Sequence, residues 1–245
     1  MLKNKVILVT GSSSGIGKNI IETVAKYEAI PIITFYPKDK KQKRDAEELS
    51  KKIGTNFFLP LDITNLKSIN SCFKKIITKY KKLDVLVNNA GINIVNDFDK
   101  VTDTEWNKVI NTNLKGTFLC MREVYKYITT KGKIINIGSV SGQYGGPRTT
   151  SYACSKAGIM ALTHCGARFF GPKKEVSVNC VSPGPINTGM ISFMSKKIVR
   201  ETKENLLLKR FGEVKEVSEL VAFLSSDKSS FITAQTIGIN GGVWV

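Results

Sequence analysis

The fold of this chain follows from one stretch near its start, Val6-Ile7-Leu8-Val9-Thr10-Gly11-Ser12-Ser13-Ser14-Gly15-Ile16-Gly17. Its first four residues form a continuous apolar run, which is typical of a strand buried on both faces of a sheet. The glycines that follow let the backbone turn tightly and approach a phosphate group at the start of a helix. The G-x-x-x-G-x-G spacing differs from the commoner G-x-G-x-x-G, so an ordinary glycine-rich turn is the alternative interpretation.

Further apolar runs follow this first one, with helix-like segments between them. The predicted strands are 6–9, 31–35, 56–59, 85–87, 133–137, 177–181 and 236–239. Strands that alternate with helices predict a doubly wound α/β sheet of about seven parallel strands, with helices on both faces. Because 245 residues with 42% hydrophobic content suit one core of this kind, we expect a single domain over 1–245.

The composition is strongly basic, with 37 Lys and Arg residues against 20 Asp and Glu residues and a net charge of +17. Such a balance can serve a nucleic acid, an anionic membrane or an acidic protein. The lysine-rich segments also carry acids, which favours solvated helix faces, and we do not expect a nucleic-acid partner. No apolar run approaches the roughly 18 residues of a membrane helix. We therefore expect a cytoplasmic protein without a membrane partner.

Cysteine and histidine usage argues against several kinds of site. The five cysteines are widely spread and form no C-x-x-C pair, so neither a disulfide framework nor a zinc site is predicted. His164 is the only histidine, and we expect no metal. In Gly138-Ser139-Val140-Ser141-Gly142 the middle residue is valine, whereas a nucleophile elbow needs serine there. The spacing thus argues against a hydrolase.

Tyr152 and Lys156 lie four residues apart, which places a phenol and an ammonium on one face of a helix. A nearby cation stabilises phenolate, and tyrosine needs such help to work as an acid or base near neutral pH because its free pKa is about 10. The pair predicts a tyrosine general acid. A packed aromatic is the alternative.

Two polar segments follow predicted strands, at the carboxyl ends where open α/β sheets bind ligands. They are Leu61-Asp62-Ile63 and Asn88-Asn89-Ala90-Gly91. We expect Asp62 to accept from an adenine amino group, with a helix cap before Thr64 as the alternative. The segment Asn89-Ala90-Gly91 would border the adenosine ribose.

The chain resembles the short-chain dehydrogenase/reductase family over essentially its whole length. The resemblance rests on Thr10 to Gly17, Asn88 to Gly91, Asn113-Leu114, Ser139, Tyr152 with Lys156, Pro183-Gly184 and Asn240-Gly241-Gly242. It implies a Rossmann-type fold, a nicotinamide cofactor and a homotetramer. Relatives pair through helices that correspond to 104–128 and 151–170.

The resemblance also implies roles for four catalytic residues. Tyr152 donates a proton to a substrate carbonyl oxygen, and Lys156 lowers the pKa of Tyr152 and binds the nicotinamide ribose. Ser139 hydrogen-bonds the substrate oxygen. Asn113 holds a water that relays protons to Lys156, and it is preferred to Asn111 because the asparagine of the family directly precedes leucine.

The implied cofactor contacts fall in several stretches. They are Gly11, Ser13, Ser14, Gly15, Ile16 and Gly17; Tyr36 and Lys38; Asp62 and Ile63; Asn89, Ala90 and Gly91; Tyr152 and Lys156; and Pro183, Gly184, Ile186 and Thr188. Enzymes that use NAD place an acid at the end of the second strand, where this chain has Phe35-Tyr36-Pro37-Lys38. This favours NADP(H). NAD(H) is the alternative, because Ser14 stands where many NADP-preferring relatives carry arginine.

Within the family the resemblance is strongest to reductases of 3-oxoacyl groups on acyl carrier protein, through Ile137 to Gly142 and from Arg210 to the C-terminal glycines. It implies an acyl-thioester substrate of fatty acid biosynthesis, reduced from ketone to secondary alcohol, and a basic surface would help an acidic carrier to dock. A lid over about 189–208 would cover the substrate.

Two alternatives stay open. Trp106 to Ile110 and Pro185 to Thr188 resemble sugar dehydrogenases of the same family as much, glucose dehydrogenase being the example. A different class of protein, a nucleotide-binding regulator without turnover, would keep the fold but would not need Tyr152 and Lys156 in register.

Overall fold

A computed structural model describes residues 1–188 and 195–244. Its strands are β1 (Val6–Val9), β2 (Ile30–Phe35), β3 (Phe58–Pro60), β4 (Leu83–Asn88), β5 (Ile128–Ile137), β6 (Ser177–Pro183), β7 (Ile186–Asn187), β8 (Gly212–Glu213) and β9 (Thr236–Ile239). Its helices are α1 (Gly15–Lys26), α2 (Lys40–Lys52), α3 (Leu66–Tyr80), α4 (Asp103–Ile110), α5 (Gly116–Val124), α6 (Ser141–Tyr144), α7 (Thr150–Lys174), α8 (Lys196–Glu204) and α9 (Val214–Leu224). Within the described residues, no helix is long and apolar enough to cross a membrane.

Seven of the strands in this part of the chain form one parallel sheet in the order β3-β2-β1-β4-β5-β6-β9. The chain moves outward from β1 to β3 and then returns to β4 on the other side of β1. This reversal opens a crevice at the carboxyl ends of β1 and β4, where ligands bind in such sheets. The predicted fold class, a doubly wound sheet of about seven parallel strands, is confirmed.

Every predicted strand is present, although several boundaries differ. The fifth strand begins at Ile128 instead of Lys133, since Ile128 pairs with Leu83 before the register shifts. The third strand covers Phe58–Pro60 where 56–59 was predicted. An apolar run marks the buried part of a strand, whereas backbone pairing continues into more polar residues at the rims. The sequence pattern therefore located the strands better than it located their ends.

The sheet separates two apolar clusters. Val6 and Leu8 point into the first, which contains residues of α3, α5 and α7, and Ile7 and Val9 point into the second, with residues of α1, α2 and α9. All four side chains are fully buried. The sheet is thus covered on both faces, which explains why its strands read as continuous apolar runs.

Candidate active site

The loop between β1 and α1 packs tightly against the turn that follows β4. Gly11 has a φ of +61°, and a Cβ there would lie 2.9 Å from the Cα of Ala90. A Cβ on Gly17 would lie 2.5 Å from the Asn89 Nδ2 and 2.6 Å from the carbonyl oxygen of Gly11. These positions require glycine because a side chain would push the loop away from its neighbour.

Hydrogen bonds from Thr10 and Asn89 lock the two loops together. The Thr10 Oγ1 accepts from the backbone N–H of Asn89 at 3.0 Å and of Ala90 at 2.9 Å. The Asn89 side-chain amide donates to the carbonyl oxygens of Thr10 and Gly11, both at 3.0 Å. Asn89 thus shapes the glycine-rich loop itself, a role that the sequence pattern did not indicate.

Thr34 of β2 holds the other side of the loop. Its Oγ1 accepts from the N–H of Gly11 at 3.0 Å and donates to the carbonyl oxygen of Val9 at 2.9 Å. Its own N–H donates to the Ser12 Oγ at 2.8 Å. Thr34 and Ser12 were not predicted as site residues. Their hydrogen bonds tie the glycine-rich loop to β2. In the sequence, the only sign of this role was a hydroxyl residue in or next to the glycine turn.

Tyr36 and Lys38 are exposed at the end of β2. The Tyr36 N–H and the Ser13 hydroxyl both donate to the Gln42 Oε1, at 3.1 and 3.5 Å. The first carboxylate after the strand, Asp39, accepts from the N–H groups of Lys41 and Gln42 at 2.9 and 3.0 Å and so caps α2. Both groups lie at the carboxyl end of β2, the Lys38 ammonium exposed and the Asp39 carboxylate bonded to the first turn of α2.

Asp62 and Ile63 follow β3 at the same edge of the sheet. The Asp62 Oδ1 accepts from the N–H of Thr64 at 2.9 Å and from its hydroxyl at 2.6 Å. The cap of α3 is Asn65, which accepts from two backbone N–H groups of the helix. Asp62 therefore shapes the turn before the helix cap. Ile63 is buried against Gly116, where a Cβ would lie 2.8 Å from the Ile63 Cδ1.

Asn113 lies in a π-helical turn, Asn111–Lys115, between α4 and α5. Such turns are frequent at functional sites because they displace one residue from the helical register. The Asn113 side chain is fully buried. Its Nδ2 donates to the Ile92 carbonyl at 2.8 Å and to the Ser155 Oγ at 3.0 Å, and its Oδ1 accepts from the Ile92 N–H at 2.8 Å. Both ends of the amide are taken by protein partners.

Ser155 was missed by the sequence analysis although it lies inside the Tyr-x-x-x-Lys motif. Its hydroxyl donates to the carbonyl oxygen of Tyr152 at 2.7 Å while accepting from Asn113. It is fully buried. Ser155 therefore joins the π-helical turn to the first turn of α7, which carries the predicted acid.

The first turns of α7 bring Tyr152 and Lys156 next to Ser139, which follows β5. The Lys156 Nζ donates to the carbonyl oxygen of Ile137 at 2.6 Å and lies 5.5 Å from the centroid of the Tyr152 ring. Lys156 and Ser139 are both buried, at 4% and 9% exposure. The structure thus brings three of the four predicted catalytic side chains together. The fourth, Asn113, is separated from Lys156 by Gly91. A Cβ on Gly91 would lie 3.2 Å from the Asn113 Oδ1 and 3.8 Å from the Lys156 Nζ.

Burial controls the ionisation of this cluster. It lowers the pKa of Lys156 to about 8 and raises the pKa of Tyr152, while hydrogen bonding with Ser139 acts to lower the Tyr152 value. The thiol of Cys180 is close enough that the Lys156 charge lowers its pKa, although burial has the larger effect and raises it to about 11. Burial therefore disfavours the charged forms of both Tyr152 and Lys156, and the group whose hydrogen bond lowers the pKa of Tyr152 is Ser139.

The segment after β6 closes the site beside Ser139. The Pro183 carbonyl accepts from the N–H of Val140 at 2.9 Å. A Cβ on Gly184 would lie 2.7 Å from the Cα of Asn240. Ile186 lies in β7 and pairs with Gly212 of β8.

Thr188 is half-buried and is the last described residue of this stretch. Of the predicted lid over 189–208, residues 189–194 lie outside the described part of the chain. The remainder consists of α8 and the turn after it.

A doubly wound sheet with a glycine loop after β1, and a half-buried tyrosine with a buried lysine beside a serine, define the class of protein. The chain belongs to the short-chain dehydrogenase/reductase family and is an oxidoreductase enzyme. The family model described as enoyl-(acyl carrier protein) reductase matches residues 11–244.

Individual relatives match over their full length. The chain is 35% identical over 244 residues to the 3-oxoacyl-[acyl-carrier-protein] reductase FabG of Staphylococcus epidermidis. The alignment covers 99% of this chain and 100% of that protein. It is 37% identical over 246 residues to the enzyme of that name from Thermotoga maritima, covering 99% and 98%. The solved structure of a short-chain dehydrogenase/reductase titled glucose/ribitol dehydrogenase, from Brucella melitensis, superposes with a TM-score of 0.93 at 26% identity over 100% of this chain and 98% of that one.

Family membership implies a nicotinamide cofactor, and the residues of the crevice fit one. Gly11 and Gly15 both have positive φ, and no atom lies within 4 Å of a Cβ placed on Gly15. The loop therefore leaves open space at the start of α1, where backbone N–H groups and the helix dipole favour a phosphate.

Proposed function

We propose that this enzyme reduces a 3-oxoacyl thioester, carried on acyl carrier protein, to the 3-hydroxyacyl thioester, with NADPH as reductant. The observation that carries the substrate class is the match to reductases of that name at 35% and 37% identity over essentially the whole of both chains. The observation that carries the reaction type is the meeting of Ser139, Tyr152 and Lys156 around one point.

In this proposal Ser139 and Tyr152 both hydrogen-bond the ketone oxygen of the substrate. The bound nicotinamide supplies the hydride that reduces the ketone carbon. Tyr152 donates its proton to the oxygen as negative charge develops there, and the Lys156 ammonium stabilises the phenolate that remains. Because Lys156 is buried, its charge is screened less than a surface charge would be.

Asn113 is proposed to hold the water that returns a proton toward Lys156. Its side-chain amide is occupied by Ile92 and Ser155, so the main-chain carbonyl is the group that would bind the water. That carbonyl accepts from the Thr117 Oγ1 at 2.7 Å, and a carbonyl oxygen has capacity for a second hydrogen bond. The side chain of Asn113 then fixes the carbonyl in place.

The cofactor contacts proposed for this chain follow the crevice from one end to the other. The pyrophosphate would be held by Gly11, Ser13, Ser14, Gly15, Ile16 and Gly17, and the adenosine by Asp62, Ile63, Asn89, Ala90 and Gly91. The second ribose would be held by Tyr152 and Lys156, and the carboxamide by Pro183, Gly184, Ile186 and Thr188. Tyr36 and Lys38 would contact the 2′-phosphate of NADPH. The end of β2 carries the exposed cation of Lys38 and no acid before Asp39, which supports NADPH over NADH.

Two further expectations from the sequence stay proposals. Residues 189–208 would cover the bound substrate. A homotetramer would form through α4, α5 and α7, and the exposed rings of Phe118 on α5 and Phe169 on α7 support an interface there. Light scattering of Phe118→Glu against wild type tests the tetramer, which should dissociate in the variant.

The direct test follows NADPH absorbance in the presence of an acetoacetyl thioester, for wild type and Tyr152→Phe. We expect rapid NADPH consumption that falls by 10²- to 10⁴-fold in the variant, since the phenylalanine ring keeps the packing but removes the acid. Cofactor binding should persist in Tyr152→Phe. Wild-type protein that binds NADPH but consumes none with thioester would contradict the proposal.

A second candidate is a sugar dehydrogenase, favoured by the fold match to the Brucella melitensis protein titled glucose/ribitol dehydrogenase. Glucose and ribitol with NADP⁺ are the substrates that test it. Turnover of these sugars and not of the thioester would select this function. Binding of cofactor without turnover of any of them would indicate a nucleotide-binding regulator.

A further inference from the structure

Two exposed aromatic rings meet at the carboxyl edge of the main sheet, apart from the residues described above. The Tyr144 and Trp244 rings have centroids 5.7 Å apart and planes inclined by 31°. Their exposures are 42% and 45%. The two side chains come from distant parts of the sequence and together form a continuous aromatic surface. Large aromatic faces of this kind bind apolar and amide-containing ligands well.

Tyr144 is held close to the reacting point. It ends α6, the one-turn helix that begins two residues after Ser139. The Ser141 N–H donates to the Ser139 Oγ at 3.2 Å. A Cβ on Gly142 would lie 2.7 Å from the carbonyl carbon of Lys156, so α6 packs directly on α7. Tyr144 is therefore the fifth residue after Ser139, in a segment about one helical turn long that packs on α7.

Trp244 is held by contacts of the C-terminal segment. Its carbonyl oxygen accepts from the Asn240 Nδ2 at 2.9 Å, and Asn240 in turn packs against Gly184. The Gly241 carbonyl accepts from the N–H of Leu208 at 3.1 Å. The C-terminal segment thus lies between the loop after β6 and the turn after α8. These contacts position Trp244 beside Tyr144 at the carboxyl edge of the sheet.

We propose that Tyr144 and Trp244 bind the thioester arm of the substrate, the uncharged chain of methylenes and amides that joins the acyl group to its carrier. This inference rests on the proposed function. A carrier protein stays outside the enzyme, so its arm must cross the rim to bring the ketone to Ser139 and Tyr152. The paired rings lie on that rim, next to the reacting point, and the arm is a long apolar and amide chain that suits an aromatic face.

Kinetics with and without the arm test the inference. Tyr144→Ala and Trp244→Ala should each raise KM for acetoacetyl-coenzyme A about tenfold, equivalent to about 1.4 kcal/mol, with kcat changed less than threefold. For ethyl acetoacetate, which has the ketone but no arm, kcat/KM should fall less than threefold. Tyr144→Phe keeps the aromatic face and should stay within twofold of wild type on both substrates. Equal losses on both substrates, or no loss on the thioester, would overturn the inference.

Phe231→Ala is the matched control. Phe231 is fully exposed and precedes β9, so it lies at the amino edge of the sheet, opposite the active site. This variant should behave as wild type on both substrates. If it raised KM for the thioester as much as Trp244→Ala does, exposed aromatic surface in general would explain the effect and the inference would fail.

A binding measurement separates this inference from the proposed function. The chain has two tryptophans, so Trp106→Phe leaves Trp244 as the only indole reporter. Titration of the NADP⁺-saturated variant with pantetheine should change the Trp244 fluorescence saturably, and the added Tyr144→Ala substitution should weaken binding several-fold. If wild type reduces no acetoacetyl thioester, the proposed function fails, and this titration alone decides the arm site. A saturable change upholds it, and a flat titration overturns it.

Discussion

The side-chain amide of Asn113 donates a hydrogen bond of 3.0 Å to the hydroxyl of Ser155, which itself donates to the carbonyl oxygen of Tyr152 at 2.7 Å. A buried polar chain therefore connects the π-helical turn to the residue proposed as the acid. Buried networks of this kind fix geometry because each member loses a partner if another is removed. The Ser155 hydroxyl is the link between the two elements.

Ser155→Ala should lower both stability and activity. The substitution leaves the Asn113 amide and the Tyr152 carbonyl each without one partner, which costs about 1–3 kcal/mol of unfolding free energy. We expect kcat/KM to fall roughly tenfold as Tyr152 loses its fixed position. Urea unfolding and steady-state kinetics measure the two effects. Cys154→Ala, at an exposed neighbouring position, should change stability by less than about 0.5 kcal/mol, and a similar loss in both variants would contradict the link.

Gly17→Ala should damage the cofactor loop. The new methyl group would lie 2.5 Å from the Asn89 Nδ2 and 2.6 Å from the Gly11 carbonyl oxygen, so the loop must move. We expect a loss of about 1–3 kcal/mol in unfolding free energy and at least tenfold weaker NADPH binding. Thermal unfolding and NADPH fluorescence titration test this.

Gly171→Ala is the control for that substitution. Gly171 lies in α7, and a Cβ there meets no atom within 4 Å. Alanine is the better helix former, but a Cβ directly before Pro172 opposes the helical conformation, so stability should change by no more than about 1 kcal/mol in either direction. NADPH binding should be unchanged, because Gly171 lies near the far end of α7. Unchanged NADPH binding in Gly17→Ala would show that the loop tolerates the side chain.

The stability of the cofactor-free protein should depend on pH through Lys156. Burial lowers its pKa from the ordinary 10.5 to about 8, so between these values the unfolded chain binds more protons than the folded one. Stability from this group therefore rises with pH across that window, and the charged lysine costs stability below it. Relative to Lys156→Met, the unfolding free energy of wild type should increase by about 2 kcal/mol between pH 7 and pH 9.5. Urea unfolding of both proteins at equal concentration measures it, and a difference independent of pH would refute the assignment.

Lys38 should determine the preference between the two nicotinamide cofactors. Lys38→Ala removes a cation from the end of β2 and should raise KM for NADPH about tenfold or more, because charge-assisted hydrogen bonds contribute about 1.5–3 kcal/mol. KM for NADH should change less than twofold. Lys74→Ala, on α3, changes the net charge equally and should leave both values unchanged. If only Lys38→Ala with Lys40→Ala shows the effect, the two lysines share the role.

Much of the fold was predictable because its signals are local. Continuous apolar runs marked the strands, and the glycines after Val9 marked the start of α1. Strand ends were less accurate, as at Ile128, since backbone pairing does not require an apolar side chain. Within the site, Thr34 and Ser155 were missed because a buried serine or threonine looks like any other in sequence.

By itself, the sequence determined which residues share a short stretch of backbone. The spacing of Tyr152 and Lys156 places them on one helix face, and the glycines of the first loop permit its turn, because both effects act over a few residues. Only the tertiary structure decided that Asn113 reaches Ser155 and that Trp244 reaches Tyr144. These contacts join segments far apart in the chain, and their geometry depends on how the helices pack on the sheet, which no local pattern specifies.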